Sequence, residues 1–302
     1  METLEKVIAG WKADKRRWVK DATYAVYLQH LHNHVVPFLQ GRDQIDDGTA
    51  REFVDALEAK GLSPKSIRDV TLVLRMLLRY GAREGVWPAV DTEVRYPQAR
   101  KVGPPVMLPR DQRRLTEYLR EHPSLKGLGI LICLETGLRI GEVAGLQWKD
   151  IDFEQGVIRV GKTVQRLYID DGADKRHFLS IGSPKTPSSN REVPMTREQR
   201  KLMGRHRSAP EFYVVSGAPT PVEPRALREY LMRTLCRLGI PRVRFHALRH
   251  SFATRCIESG ADPKTVSAIL GHASVSTTLD LYVHPGLEQK RRAIERAARG
   301  LG

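Results

Sequence analysis

No stretch of this chain is apolar for long enough to cross a bilayer: a run of eighteen apolar residues is nowhere found. The N-terminus, "METLEKVIAGWKADKRRW", is charged throughout and lacks the apolar centre of a signal peptide. A soluble chain that stays in the cytoplasm, with no membrane partner, is expected. Cysteine is scarce too. Cys133, Cys236 and Cys256 are too few and too scattered for a disulfide framework or a zinc site, which needs close paired spacings. Acid is the third shortage: 35 Asp and Glu stand against 50 Lys and Arg, a net charge of +15 over 302 residues.

That imbalance favours a polyanionic partner, because uncompensated cations raise the local concentration of nucleic acid. It is also concentrated. "RALREYLMRTLCRLGIPRVRFHALRHSFATR", Arg225 to Arg255, holds eight arginines and a single acid, Glu229. A solvated basic face would interleave acids at i,i+4 spacing, and this stretch does not. Few aromatics accompany it, so gripping duplex phosphates is favoured over stacking on single strands.

The first hundred residues read as helices. One runs from Thr23 to Leu39 with a break at "VVPF", and "TAREFVDALEAKG" places Phe53 and Leu57 one turn apart. In "SPKSIRDVTLVLRMLLRYGAREG", Ser63 is a natural N-cap and Pro64 a natural first residue. Ile67, Val70, Val73, Leu74, Leu77 and Leu78 then form a buried stripe. The prolines and glycine of "YPQARKVGPPVMLP" forbid helix and place a domain boundary near residue 103. Beyond it "RDQRRLTEYLREH" and "LKGLGILICLET" are helical, and a third helix opens after Gly137. "GVIRVGKTVQRLYI" alternates β-branched residues, and "REVPM" is a short strand after the polar loop "GSPKTPSSN", which together predict a small antiparallel sheet on the edge of a helical body. Helices resume at Pro224, including "DPKTVSAIL" with Asp262 as cap and Gly271 as stop.

His246, Arg249 and His250 stand at i, i+3 and i+4 and share one helix face. Two chemistries compete for them. His-x-x-x-His is a metal-ligand spacing, with His272 as a third ligand, but Arg249 and the surrounding arginines raise the cost of a dication. The same crowding suits a phosphodiester under attack, whose transition state gathers charge on its non-bridging oxygens. Arg139, opening a helix in "ETGLRIGEVAGLQW", pairs with Arg249 as a fork for two phosphate oxygens. Tyr282 is the candidate nucleophile; its phenol needs activation, and nearby arginines are expected to favour the phenolate.

Three blocks, "TGLRIGEVAGL", "PKTPSSNREVPM" and "HALRHSFATRCIESGADPKTVSAILGHASVSTTLDLYVH", closely resemble the tyrosine recombinases, the phage-integrase family of site-specific recombinases, over Val106 to Pro285. The resemblance implies a mainly α fold with a small antiparallel β-sheet. A helical core-binding domain would occupy residues 1–102 and an α+β catalytic domain residues 103–302. It further implies that Arg139 and Arg249 grip the scissile phosphate, that His246 and His272 hydrogen-bond to it and help move protons, and that Lys185 protonates the leaving 5′ oxygen. Lys162 and Lys175 stand nearby as substitutes for Lys185. Tyr282 would attack to leave a 3′-phosphotyrosine, while Glu142 orients the site without doing chemistry; His250 falls on a position that usually packs. No metal or other cofactor is implied. The partner would be a double-stranded DNA recombination site, bound by a homotetramer across two sites in the cytoplasmic nucleoid, with accessory or directionality proteins as further partners. The tail "LEQKRRAIERAARGLG" would be an exchangeable helix with Leu287, Ile294 and Leu301 as contacts. The resemblance leads to the expectation of the minimal two-domain form, without an arm-binding domain, as in chromosome-dimer resolvases and some mobile-element integrases.

Three rivals remain open to the sequence. A type IB topoisomerase uses a similar constellation to relax supercoils. A single-strand relaxase uses tyrosine with a metal motif of which His32 and His34 are reminiscent, although Asn33 lies between them. A non-catalytic DNA-binding protein would suit the charge but has no need of Tyr282, Lys185 and both arginines together.

Overall fold

A computed structural model of the chain describes residues 2–42, 44–98, 105–172, 175–182, 189–282, 291, 294–295 and 298. It divides into two compact units: Met1–Val102 with Leu167–Phe178, and Gly103–Arg166 with Leu179–Gly302.

The first unit is built on α1 (Glu2–Trp18), α2 (Asp21–His30), α3 (Val36–Leu39), α4 (Thr49–Ala59) and α5 (Pro64–Arg83). The Ser63 hydroxyl accepts from the Ser66 amide at 3.2 Å, and all six residues of the predicted α5 stripe are buried. They pack on Trp11, Tyr24, Leu28, Phe53 and Leu57. The expected break at Val35–Phe38 is instead a single π-helical turn, Leu31–Val35, that runs straight into α3. Pro37 has no N–H to give to a carbonyl four residues back, and the wider turn absorbs that loss, with the Val36 amide reaching Leu31 O. Segment 167–178 groups with these helices because Ile169 is buried in their core. Asp171 accepts from the Tyr24 hydroxyl at 3.0 Å and pairs with Lys12 at 3.5 Å.

From residue 105 onward the chain forms α6 (Pro109–Glu121), α7 (Leu125–Thr136) and α8 (Ile140–Ala144). The strands follow: β1 (Ile151–Asp152), β2 (Val157–Val160), β3 (Thr163–Asp170), β4 (Lys175–Gly182) and β5 (Arg191–Pro194). After them come α9 (Arg197–Gly204), α10 (Pro224–Arg237), α11 (His246–Glu258), α12 (Pro263–Leu270) and α13 (Val275–Tyr282). Helix α7 is apolar on all sides and forms the centre of this unit's core, with Leu115 and Leu119 of α6 and Leu227, Leu231 and Leu235 of α10 in the same cluster. The mainly α architecture holds, but the expected single sheet is two. β1, β2 and β5 form an antiparallel sheet with Ile158 opposite Val193, while β3 and β4 pair separately. The run "GVIRVGKTVQRLYI" is cut at Gly161–Lys162, and β4 went unseen because its residues are half-buried or exposed with no apolar alternation.

A small third cluster joins Phe252 and Ala253 of α11, Val266 and Leu270 of α12 and Tyr282 of α13. Among the described residues no helix is long and apolar enough to cross a membrane. Of the predicted tail contacts, Ile294 is exposed, while Leu287 and Leu301 lie outside the described residues. So do Arg100, Lys101, Gly103 and Pro104 of the predicted linker.

Candidate active site

Helix α7 stops because Gly137 adopts φ +70°, a left-handed conformation that costs a residue with a Cβ free energy. Space is short there too: a Cβ would sit 2.6 Å from both Leu270 Cδ2 and Phe252 Cδ1. The reversal buries Leu138 and sets Arg139 at the N-cap of α8. From there its Nη1 donates to Glu142 Oε1 at 2.8 Å and its amide to Oε2 at 2.8 Å.

Glu142 is only 3% exposed. Burial alone would raise its pKa, yet the hydrogen bonds and charge of Arg191, with those of Arg139, hold it below the usual carboxylate range. Arg191 meets it at two points, Nη1 to Oε1 at 3.1 Å and Nη2 to Oε2 at 3.0 Å. Its position at the head of β5, paired with Val160, fixes that approach.

Three arginines converge on the C-terminal end of α12. Arg191 Nε donates to Ile269 O at 2.5 Å, Arg249 Nη2 to Leu270 O at 2.8 Å and Arg139 Nη2 to Gly271 O at 3.1 Å. Carbonyls at a helix end have no partner within the helix and carry the negative pole of its dipole, so guanidinium groups satisfy both needs. Arg249, 1% exposed, also donates Nη1 to Gly137 O at 2.8 Å. Burial, then the charge of Arg139, lowers its pKa to about 10, which leaves it protonated at neutral pH. Each of these two arginines still has N–H groups to offer a ligand, since a guanidinium carries five.

A pocket of about 300 Å³ opens beside them, lined by Arg139, His246, Arg249, Thr163 and Gln165 among others. The His246 ring stands edge-on to His250, centroids 4.6 Å apart. Desolvation, Arg249 and Arg139 all lower its pKa. His272, just past the α12 cap, places Nδ1 2.8 Å from Thr278 Oγ1 and lays its ring parallel to that of Tyr282 at 6.4 Å. Desolvation, then Arg249 and Arg139, lowers its pKa to about 4.

Tyr282, the last residue of α13, is 8% exposed. The arginines were expected to favour its phenolate. They do pull its pKa down, but burial outweighs them and the net shift is upward. The phenol is therefore protonated at rest. Its hydroxyl lies 2.5 Å from His250 Nδ1, a contact that the packing assignment of His250 did not anticipate.

Thus the structure gathers Arg139, Glu142, His246, Arg249, His272 and Tyr282 in one region, while Lys185 lies outside the described residues. Of its substitutes, Lys162 is held by Gln147 at 2.5 Å and Asp150 at 3.0 Å, and Lys175 pairs with Asp170 at 3.3 Å. Arg191 carried no predicted role, and His250 was expected only to pack. Arg191 sits inside a quoted block, but nothing in its spacing ties it to an acid 49 positions away. Among the described residues no three His, Cys, Asp or Glu side chains are grouped to hold a metal ion.

The sequence profile of the phage integrase family matches residues 106–288. A "Tyrosine recombinase XerC-like" protein of Caldanaerobacter subterraneus subsp. tengcongensis is 29% identical across 91% of this chain and 77% of its own. "Tyrosine recombinase XerA" of Pyrococcus furiosus is 30% identical across 82% and 81%. Among solved structures, the Tn1549 transposon integrase in complex with a circular intermediate DNA superposes with a TM-score of 0.71 over 96% of this chain and 99% of that one, at 23% identity. A profile match over more than half the chain, a relative at 30% identity along most of both lengths and this shared fold lead to one assignment: the chain belongs to the phage integrase family, the tyrosine recombinases.

Proposed function

We propose that this recombinase cuts and rejoins duplex DNA at a specific site by way of a 3′-phosphotyrosine on Tyr282. The observation that carries the assignment is the placement of the Tyr282 ring beside His272 and within the field of Arg249 and Arg139, which flank a 300 Å³ pocket. Arg139 and Arg249 hold the non-bridging oxygens of the scissile phosphate. Their planar donors are fixed in advance by Glu142 and the end of α12, so little reorganisation is needed as charge develops. His246 and His272 hydrogen-bond to the same phosphate, and Lys185 protonates the leaving 5′ oxygen. Glu142 orients Arg139. The covalent link conserves the phosphodiester, so rejoining needs no nucleotide cofactor.

In this reading residues 1–102 are the core-binding domain and 103–302 the catalytic domain, and a homotetramer brings two sites together in the cytoplasm on nucleoid DNA. Accessory proteins would then set direction. The family assignment does not favour the topoisomerase or the purely binding alternatives. The test is a denaturing gel of protein incubated in EDTA buffer with nicked duplexes from DNA flanking its gene. A covalent 3′ adduct that is lost in Tyr282→Phe supports the reading. Retention of the adduct in that variant, or none from wild type on DNA it binds, refutes it.

A further inference from the structure

We infer that His250 is the group that takes the proton of Tyr282 when its phenol oxygen attacks phosphorus. The inference rests on the reading of Tyr282 as nucleophile. Of the three histidines in this region, only His250 is within hydrogen-bond distance of the tyrosine hydroxyl, with Nδ1 at 2.5 Å. His272 has Nδ1 committed to Thr278 Oγ1 and its ring lies parallel to the tyrosine, centroids 6.4 Å apart. His246 lines the pocket instead and meets His250 edge-on.

The geometry is held from both sides. His250 is on α11, one residue beyond the buried Arg249, whose two carbonyl contacts tie that helix to the ends of α7 and α12. Tyr282 is seated by the small cluster around Phe252 and Leu270. A side chain whose only task was to fill space would not need a ring nitrogen aimed at the one hydroxyl on which the reaction depends.

Electrostatics explain why a base is needed and why this one works. Burial keeps the tyrosine protonated despite Arg249 and Arg139, so the phenolate is not available in advance. His250 is neutral at rest, with its pKa lowered to about 4 by burial, then by His246 and Arg249, and in the tautomer that carries its proton on Nε2 the Nδ1 lone pair accepts the tyrosine O–H. The groups facing this pair are His246 and Arg249 on the same helix, His272 across the tyrosine ring and Arg139 at the head of α8. All are basic. A scissile phosphate bound by the two arginines offsets the Arg249 charge and places a negative group nearby, which eases the electrostatic part of the penalty on a protonated His250 just as the phenol becomes acidic by bonding to phosphorus.

The step then balances. The tyrosine oxygen forms its bond to phosphorus while its proton moves to His250 Nδ1; the bond from phosphorus to the 5′ oxygen breaks, and that oxygen takes a proton from Lys185. Rejoining runs the transfers backwards, with His250 returning the proton to the departing tyrosine.

The experiment is single-turnover cleavage of a nicked duplex by wild type, His250→Gln and His250→Ala, each across about pH 6 to 9, with DNA affinity and unfolding midpoint measured alongside. Gln keeps much of the bulk and an accepting oxygen, so it answers if Ala perturbs folding. The expected result is a cleavage rate about a hundredfold or more below wild type with DNA affinity retained. The variant rate should also climb roughly tenfold per pH unit, because it now depends on pre-formed phenolate, while wild type stays nearly flat. A substrate with a bridging sulfur at the 5′ position, which needs no acid, should leave the His250 variants slow while restoring Lys185→Ala. Near-normal rates, a slow variant with the flat wild-type profile, or rescue by the bridging sulfur would each overturn the assignment. If wild type itself forms no tyrosine adduct, the reading of Tyr282 fails first; if it does and the His250 variants match it, only this inference fails.

Discussion

Arg191 and Glu142 meet through two parallel hydrogen bonds, at 3.1 and 3.0 Å, and their side chains are 6% and 2% exposed. Removing one member of such a pair strands the other without water. Arg191→Ala is expected to cost on the order of 3 kcal/mol of stability, read as a fall in the denaturation midpoint. It should also slow cleavage, because Glu142 and the α12 carbonyl both lose a partner that fixes Arg139. Unchanged stability would mean the pair is not formed in solution.

The same pair sets an acid limit. The folded pKa of Glu142 lies below its ordinary 4.5, so its contribution is fully present above that value and is lost as pH falls through the lower, folded one. Glu142→Gln should flatten the stability profile in that window. A mutant profile as steep as wild type there would assign the acid sensitivity to other groups.

Arg139 and Arg249 should part company when each becomes Ala. Both variants lose cleavage, by about a hundredfold or more, with only modest loss of DNA binding. Arg249→Ala additionally leaves Gly137 O and Leu270 O buried without their donor, at about 1–3 kcal/mol for each unsatisfied group. Arg139, with its side chain 36% exposed, should cost much less stability. Calorimetry on the two proteins decides this, and equal losses would refute the distinction.

His250 and His272 have folded pKa values of about 4 against an ordinary 6.5. The unfolded chain therefore binds protons that the folded chain refuses between those limits. Stability should be highest above pH 6.5 and fall as pH drops toward 4. His272→Gln should reduce that slope, measured by denaturant titrations across the window. A slope that the substitution leaves unchanged would place the histidine's ionisation elsewhere.

Gly137→Ala is expected to destabilise by about 1–3 kcal/mol, through the positive φ and through collision with Leu270 and Phe252. Because the turn aims Arg139, cleavage should fall further than the folded fraction does. Activity that tracks the folded fraction alone would show that the turn is only structural.

Much of this was legible where the chemistry is local. Ser63 with Pro64, and Asp262 with Pro263, announce helices because a cap needs only its neighbours. Arg139, His246, Arg249, His272 and Tyr282 stand out as reactive types in ordered blocks. What stayed hidden depends on distance or on burial. The Arg191–Glu142 pair spans 49 positions, and β4 has no alternating apolar face to betray it. The charges around Tyr282 could be counted, but the desolvation that overrides them could not, and with it went the reason for His250 to be where it is.

The guanidinium groups and the nucleophile are anchored differently. Arg139, Arg191 and Arg249 are all fastened to the last turn of α12 and its cap, whereas α13 begins beyond it and, among the described residues, is seated through Thr278, Leu281 and Tyr282. Drawing α13 aside would take Tyr282 out of the site and leave the arginines' anchors on α12 intact. In the proposed reading, holding the phosphate and presenting the nucleophile are thereby tasks of separate elements.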